Sequence, residues 1–174
     1  MKFRVSLSMS LVLAGLGACS PTLDWRETAA EGSGVVAMFP CRPDRHARTV
    51  EIAGSKLKME MLACPAGGAT YALVFADVPD PAQVATTLSE LRAANLRNVQ
   101  AGPPQVSPAQ VGGMTPNAEA VRVAATGRLP DGVSVQTHAI YFAKGLRVYQ
   151  GSVIGAKTAP EANEIFLSGF KFPA

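Results

Sequence analysis

The chain has no basic run interleaved with aromatic residues, which removes the electrostatic footprint of a nucleic-acid-binding surface. It has no apolar stretch long enough to cross a bilayer. The one at the N-terminus, residues 5–16, holds 12 residues and is broken by Ser6, Ser8 and Ser10, against about 20 for a spanning helix. Histidine is nearly absent. His46 and His138 are the only imidazoles, no His-x-His or His-Glu-x-x-His occurs, and no carboxylates sit at ligand spacing, so no metal site is expected. A Gly-x-Ser-x-Gly elbow is missing. Gly67-Gly68 and Gly112-Gly113 are not followed by the Gly-Lys-Ser/Thr of a phosphate cradle. Lacking these constellations, the chain reads as a non-enzymatic protein without a cofactor. Internal repeats are also lacking, and the one biased tract is the Gly- and Pro-rich stretch at residues 101–118.

What is present begins at the N-terminus. Lys2 and Arg4 precede the short apolar run, and small residues follow it in Leu16-Gly17-Ala18-Cys19. A basic start, an apolar centre and small residues before a cleavage point make a secretory signal. The tetrapeptide resembles the bacterial lipobox. That resemblance implies acylation of the Cys19 sulfur, cleavage before it, and acylation of the new amino terminus, since firm anchoring takes more than one acyl chain. Ser20 in the next position resembles the outer-membrane sorting of enteric-type lipoproteins. The expectation is a signal peptide over residues 1–18, a lipid-anchored tether over 19–33 containing Trp25, and one globular domain over 34–174, held to the outer membrane and facing the periplasm.

With Cys19 assigned to lipid, Cys41 and Cys64 remain, and an even pair in an oxidising compartment most simply forms one disulfide. Free buried thiols or a metal pair are the alternatives; the spacing is not that of a CxxC zinc site. Cleavage also changes the charge balance. Of 16 basic residues, Lys2 and Arg4 leave with the signal, so 14 face 13 acidic residues. Removing residues 1–18 leaves 156 of the 174, one domain with enough chain for a real core.

Periodicity predicts the elements. A strand runs over residues 35–39 and stops at Pro40. A hairpin joins 48–53 to 57–63 around Gly54-Ser55, with Leu57, Met59, Met61 and Ala63 on alternate positions. Residues 71–78, apolar on both faces, suit a central strand. A helix follows with Asp80 as N-cap, Pro81 at the first turn and Gln83 three after the cap. Val84, Leu88, Leu91 and Asn95 lie at helical spacing, and the helix fades near Asn98. Strands are expected over 120–126, 133–143 and 146–154, with turns at Leu129-Pro130-Asp131-Gly132 and Lys144-Gly145. Thr158 and Glu161 form a capping box for a last helix through Ser168, with Ala162, Ile165 and Phe166 inward. Gly169 ends it, and residues 170–172 make a terminal strand or tail. The class is α+β: an antiparallel sheet covered by two main helices.

The order of these pieces resembles the bacterial group with the PsbP-like α/β/α sandwich. The matching segments are residues 34–43 (GVVAMFPCRP), 71–79 (YALVFADVP), 147–149 (RVY) and 166–170 (FLSGF). Cys41 stands where that group often has Gly, and Gly169 interrupts a final Ser-Phe pair. The group shares no catalytic residues, and PsbP itself is an extrinsic subunit of a membrane complex, so the resemblance implies a binding role.

Three side-chain sets remain as candidates. Arg42, Arg45, His46 and Arg48 follow the first strand beside Cys41, as a basic cluster that would dock anionic headgroups or an acidic partner, or as a solvated loop beside Asp44 and Glu51. Asp77 and Asp80 flank Pro79 and are read as structural. Ser134, Gln136 and His138 share a strand face as a polar row, while Tyr141, Phe142 and Tyr149 are read as core or sheet-face residues. The function expected from all of this is a membrane-anchored binding or accessory module of an envelope assembly. A lipid or small-ligand binder using a sheet–helix cavity is the second expectation.

Overall fold

The computed structural model describes residues 23–173; the signal segment and Cys19 lie outside the described residues. Among these residues the chain forms nine strands and two helices: β1 (Arg26–Ala29), β2 (Val36–Phe39), β3 (Asp44–Ile52), β4 (Ser55–Ala66), β5 (Ala69–Asp77), α1 (Gln83–Asn98), β6 (Gln105–Pro108), β7 (Val121–Arg128), β8 (Ser134–Lys144), β9 (Arg147–Gly155) and α2 (Pro160–Ser168). The class is α+β, dominated by antiparallel strands. Seven of them form one sheet in the order β3-β4-β5-β9-β8-β7-β6, and β1 pairs separately with β2.

Side-chain alternation splits the core in two. In β5, Tyr71, Leu73 and Phe75 join the cluster that contains Ala162, Phe166 and Leu167 of α2. Ala76 and Val78 join the one that contains Val84, Leu88 and Leu91 of α1. In β8, Ile140 and Phe142 serve the first cluster, and Ala139, Tyr141 and Ala143 the second. The period of two along a strand produces this division. β4 changes sides with length: Leu57 and Met59 are buried toward α1 near its start, and Leu62 and Cys64 toward α2 near its end. The expected inward row of Leu57, Met59, Met61 and Ala63 therefore holds only for its first half, because Met61 and Ala63 are half-exposed.

The largest departure lies before Gly34. Residues 19–33 read as a tether, yet Arg26–Ala29 pair in antiparallel register with Val36–Phe39, from Arg26 opposite Phe39 to Ala29 opposite Val36. The connecting turn is tied internally: Ser33 N–H and Ser33 Oγ both donate to Ala30 O, at 2.8 and 2.6 Å. Gly34 adopts a φ of 75° there, open to glycine without steric cost. This hairpin, with Leu23 and Trp25, packs into the α2-side cluster. The globular fold thus begins about ten residues before Gly34.

Local signals set most boundaries. Ala53 and Gly54 both take positive φ, 51° and 74°, so the β3–β4 turn lies one residue before the expected Gly54-Ser55. Gly132 N–H donates to Leu129 O at 2.8 Å, closing the expected turn. Asp80 Oδ1 accepts from Ala82 N–H at 2.8 Å one turn ahead of α1, which makes it a turn former and not the helix cap. Gln83 is drawn elsewhere and accepts from Ser55 Oγ at 3.0 Å. At α2, Thr158 does not cap either. Its hydroxyl donates to Gln136 Oε1 at 3.0 Å, and the helix begins two residues later at Pro160. The buried stripe of α2 is Ala162, Asn163, Phe166 and Leu167, whereas Ile165 is 43% exposed.

Candidate functional site

The disulfide is present. Cys41, just after β2, is bonded to Cys64 in β4, with Cα atoms 5.9 Å apart and a sequence separation of 23. It fastens the β1–β2 hairpin to the main sheet. Cys19, the expected lipid attachment point, falls outside the described residues.

The basic set does not assemble. β3 is an edge strand, and its alternation sends Arg45 to the face shared with Leu62, while His46 and Arg48 go to the face shared with Met61 and Met59. Arg45 is neutralised: its guanidinium donates to Glu60 and lies 4.0 Å from Glu31. The hydrogen bond from Arg45 holds the Glu60 carboxyl below the usual range. Arg42 and Arg48 are exposed and have no carboxylate partner among the described residues. Of the four, Arg42 and Arg48 are thus the exposed guanidinium groups left free to meet an anion. Charged side chains on an edge strand also discourage unwanted strand pairing.

Asp77 is structural, as expected. It accepts from Arg147 Nε and Nη2, both at 2.6 Å, and this bidentate pair lowers the Asp77 pKa. Arg147 Nη1 also donates to Gly32 O at 2.6 Å, tying the sheet to the β1–β2 turn. The aromatic trio is core. Tyr141 is 0% exposed, with Asn95 Nδ2 donating to its hydroxyl at 2.9 Å. Phe142 and Tyr149 stack with centroids 4.9 Å apart, and Tyr149 donates to Ser33 O at 2.6 Å. Burial raises both tyrosine pKa values to about 12, which keeps both hydroxyls protonated near neutrality.

The polar row on β8 ends in a feature without a local sequence signal. Gln105 and Ser107 of β6, Arg122 and Ala124 of β7, and His138 of β8 share one sheet face through the register pairs Gln105–Ala124, Ser107–Arg122 and Ala124–His138. α2 forms the wall beside them, contributing Asn163, Glu164 and Leu167, and the groove between has a volume of about 430 Å³, open to solvent. Arg122 Nη1 donates to Glu164 Oε2 at 2.9 Å and its Nη2 to Ser168 Oγ at 2.6 Å. Hydrogen bonds from Ser168, then Arg122, lower the Glu164 pKa. Burial lowers the pKa of His138 and favours the neutral ring. Ser134 lies four residues along the strand, roughly 13 Å away, so the two are not brought together.

Asn163, on the α2 side of the groove, is a buried polar side chain with an unpaired atom. It is 5% exposed. Its Nδ2 donates to Thr158 Oγ1 at 2.9 Å, but its Oδ1 is buried with no donor among the described residues. The lining mixes polar and apolar side chains, and its ion pair, Arg122 with Glu164, is self-compensated. Arg122 and Glu164 meet across 42 residues of sequence, a separation no motif reports.

No family model matches the chain, and no curated protein matches it significantly.

Proposed function

We propose that this protein is a bacterial envelope lipoprotein, anchored through acylated Cys19, whose domain is a binding or accessory module of an envelope assembly and not an enzyme. The observation that carries the reading is the pairing of Cys41 with Cys64, which leaves the lipobox cysteine as the one thiol outside a disulfide. A disulfide suits an extracytoplasmic compartment, and the Leu16-Gly17-Ala18-Cys19 motif supplies the route there. The fold is proposed to be the PsbP-like sandwich, with a helix covering each face of the sheet. What supports this is the segregation of α1 and α2 into different core clusters, together with the order of motifs. Outer-membrane residence is proposed from Ser20. Radiolabelled palmitate should enter the wild-type chain and not a Cys19→Ala precursor, and the variant should leave the membrane fraction. Unchanged labelling and fractionation would remove the reading.

A second reading, a small-ligand binder, is favoured by the groove under α2. A small molecule with both apolar and hydrogen-bonding groups fits that lining. Native mass spectrometry of protein gently extracted from its own membranes should then show a bound mass that Leu167→Trp abolishes. An unliganded mass in both would dismiss it.

A further inference from the structure

Leu23 and Trp25 pack against the α2-side core. Asp24 N–H donates to Pro40 O at 2.8 Å, Trp25 stands edge-on to Tyr71 with ring centroids 5.8 Å apart, and the β1–β2 ladder begins at Arg26. Cys41, next to Pro40, is bonded to Cys64. The chain is therefore fixed from Leu23 onward, and only four peptide steps separate Leu23 from Cys19. At 3.3–3.6 Å per residue those steps reach at most about 14 Å. A free tether running to Ser33 would reach about 50 Å.

The register identifies the end of the sheet where the chain enters. Cys64 lies opposite Tyr71, and Ala66 opposite Ala69, which lies opposite Gly155. That end holds the Gly67-Gly68 turn, exposed Lys157 and exposed Arg42. The other end holds the Ala53-Gly54 turn, Lys56 and the Gly145-Leu146 turn. From Lys56 to Ala66 along β4 is about 33 Å, more than twice what the anchor segment spans.

We infer that the domain stands end-on at the bilayer, with the Gly67-Gly68 end against the phospholipid headgroups and the Gly145-Leu146 end away from them. This rests on the lipoprotein reading above. Arg42, exposed and two residues beyond Pro40, is thereby set among headgroup phosphates, which supply the acceptor it lacks within the described fold. The free edge of β3 faces sideways, along the sheet and not into the bilayer.

The test uses the acylated, disulfide-bonded protein in vesicles of phosphatidylethanolamine and phosphatidylglycerol. Fluorophores are placed at Lys157→Cys or Lys56→Cys, and the vesicles carry headgroup spin-labelled lipid as quencher. Strong quenching at position 157, and of the single Trp25, with none at position 56 is expected. Inserting about 20 Gly/Ser residues after Ser20, a flexible linker, should erase the contrast. Equal quenching at both positions, stronger quenching at 56, or a contrast that survives the insertion overturns the orientation. The mass of the N-terminal peptide separates the two layers: acylated protein with the wrong quenching pattern refutes only the orientation, whereas an unacylated N-terminus refutes the lipoprotein reading and the orientation with it.

Discussion

Removing the Cys41–Cys64 bond is the perturbation whose size is best set by the fold. The bond spans 23 residues of sequence. In the chain-entropy treatment, closing a loop of that length lowers unfolded-state entropy by about 11 cal/mol/K, or about 3 kcal/mol at 25 °C. Cys64 is fully buried in the α2-side core, so Cys→Ala also loses a buried sulfur. The double variant Cys41→Ala/Cys64→Ala, made in a Cys19→Ser background to keep it water-soluble, should be less stable by roughly 3–4 kcal/mol. For a domain of this size that corresponds to a fall in Tm of about 6–16 °C. Thermal unfolding followed by circular dichroism, with and without reductant, reads the effect. Reductant should lower the Tm of the Cys19→Ser parent by a similar amount and leave the double variant unmoved. The bond also fastens the β1–β2 hairpin, so proteolysis near Glu31 should accelerate on reduction. A parent whose Tm ignores reductant, with two alkylatable thiols, would refute the pairing and the compartment argument built on it.

Other substitutions probe separate links. Tyr141→Phe strands the buried Asn95 amide and should cost about 1–2 kcal/mol in urea unfolding; a neutral effect would mean that Thr137, 3.5 Å from Asn95, suffices as its partner. Gly127→Ala would bring its Cβ to 2.0 Å from Val99 O, where the chain leaving α1 crosses β7, and should destabilise by about 3 kcal/mol through overpacking. Asp77 has a lowered folded pKa, so its contribution is complete above the ordinary carboxylate value and is lost as pH falls through the folded one. Asp77→Asn should therefore flatten acid destabilisation below about pH 4, by less than about 1 kcal/mol because the carboxylate is largely exposed. An unchanged stability–pH curve would show that the pair contributes nothing.

Features with local causes were legible from residue order. The Leu129–Gly132 turn, the β8–β9 hairpin and α1 each depend on neighbours within a few positions, and the first lies where turn chemistry places it. The hairpin turn falls one residue later, at Gly145-Leu146, and α1 starts two residues later but ends at Asn98 as expected. The β1 strand was not legible, because Arg26, Glu27, Thr28 and Ala29 carry no alternation of burial and are ordered by a partner strand about ten residues away. Capping failed for a related reason. Asp80 and Thr158 have the right chemistry, but the turn before α1 and the Gln136 amide claim their oxygens first. On α2 the core takes Asn163 and Leu167 in place of Ile165, since Thr158 can satisfy the Asn163 amide nitrogen inside. In the basic run, strand pleating sends Arg45 to one face and His46 and Arg48 to the other, a division set by pairing with β4. The groove was out of reach altogether, because its floor and wall come from β6, β7, β8 and α2.

The proposal turns most directly on the chemical state of Cys19 in protein extracted from its native membranes. Intact-mass and peptide mass spectrometry should find a mature chain beginning at Cys19, lacking residues 1–18, with a diacylglyceryl thioether on its sulfur and Cys41 bonded to Cys64. A chain that keeps its N-terminal residues, or one that begins elsewhere with an unmodified Cys19, would contradict it.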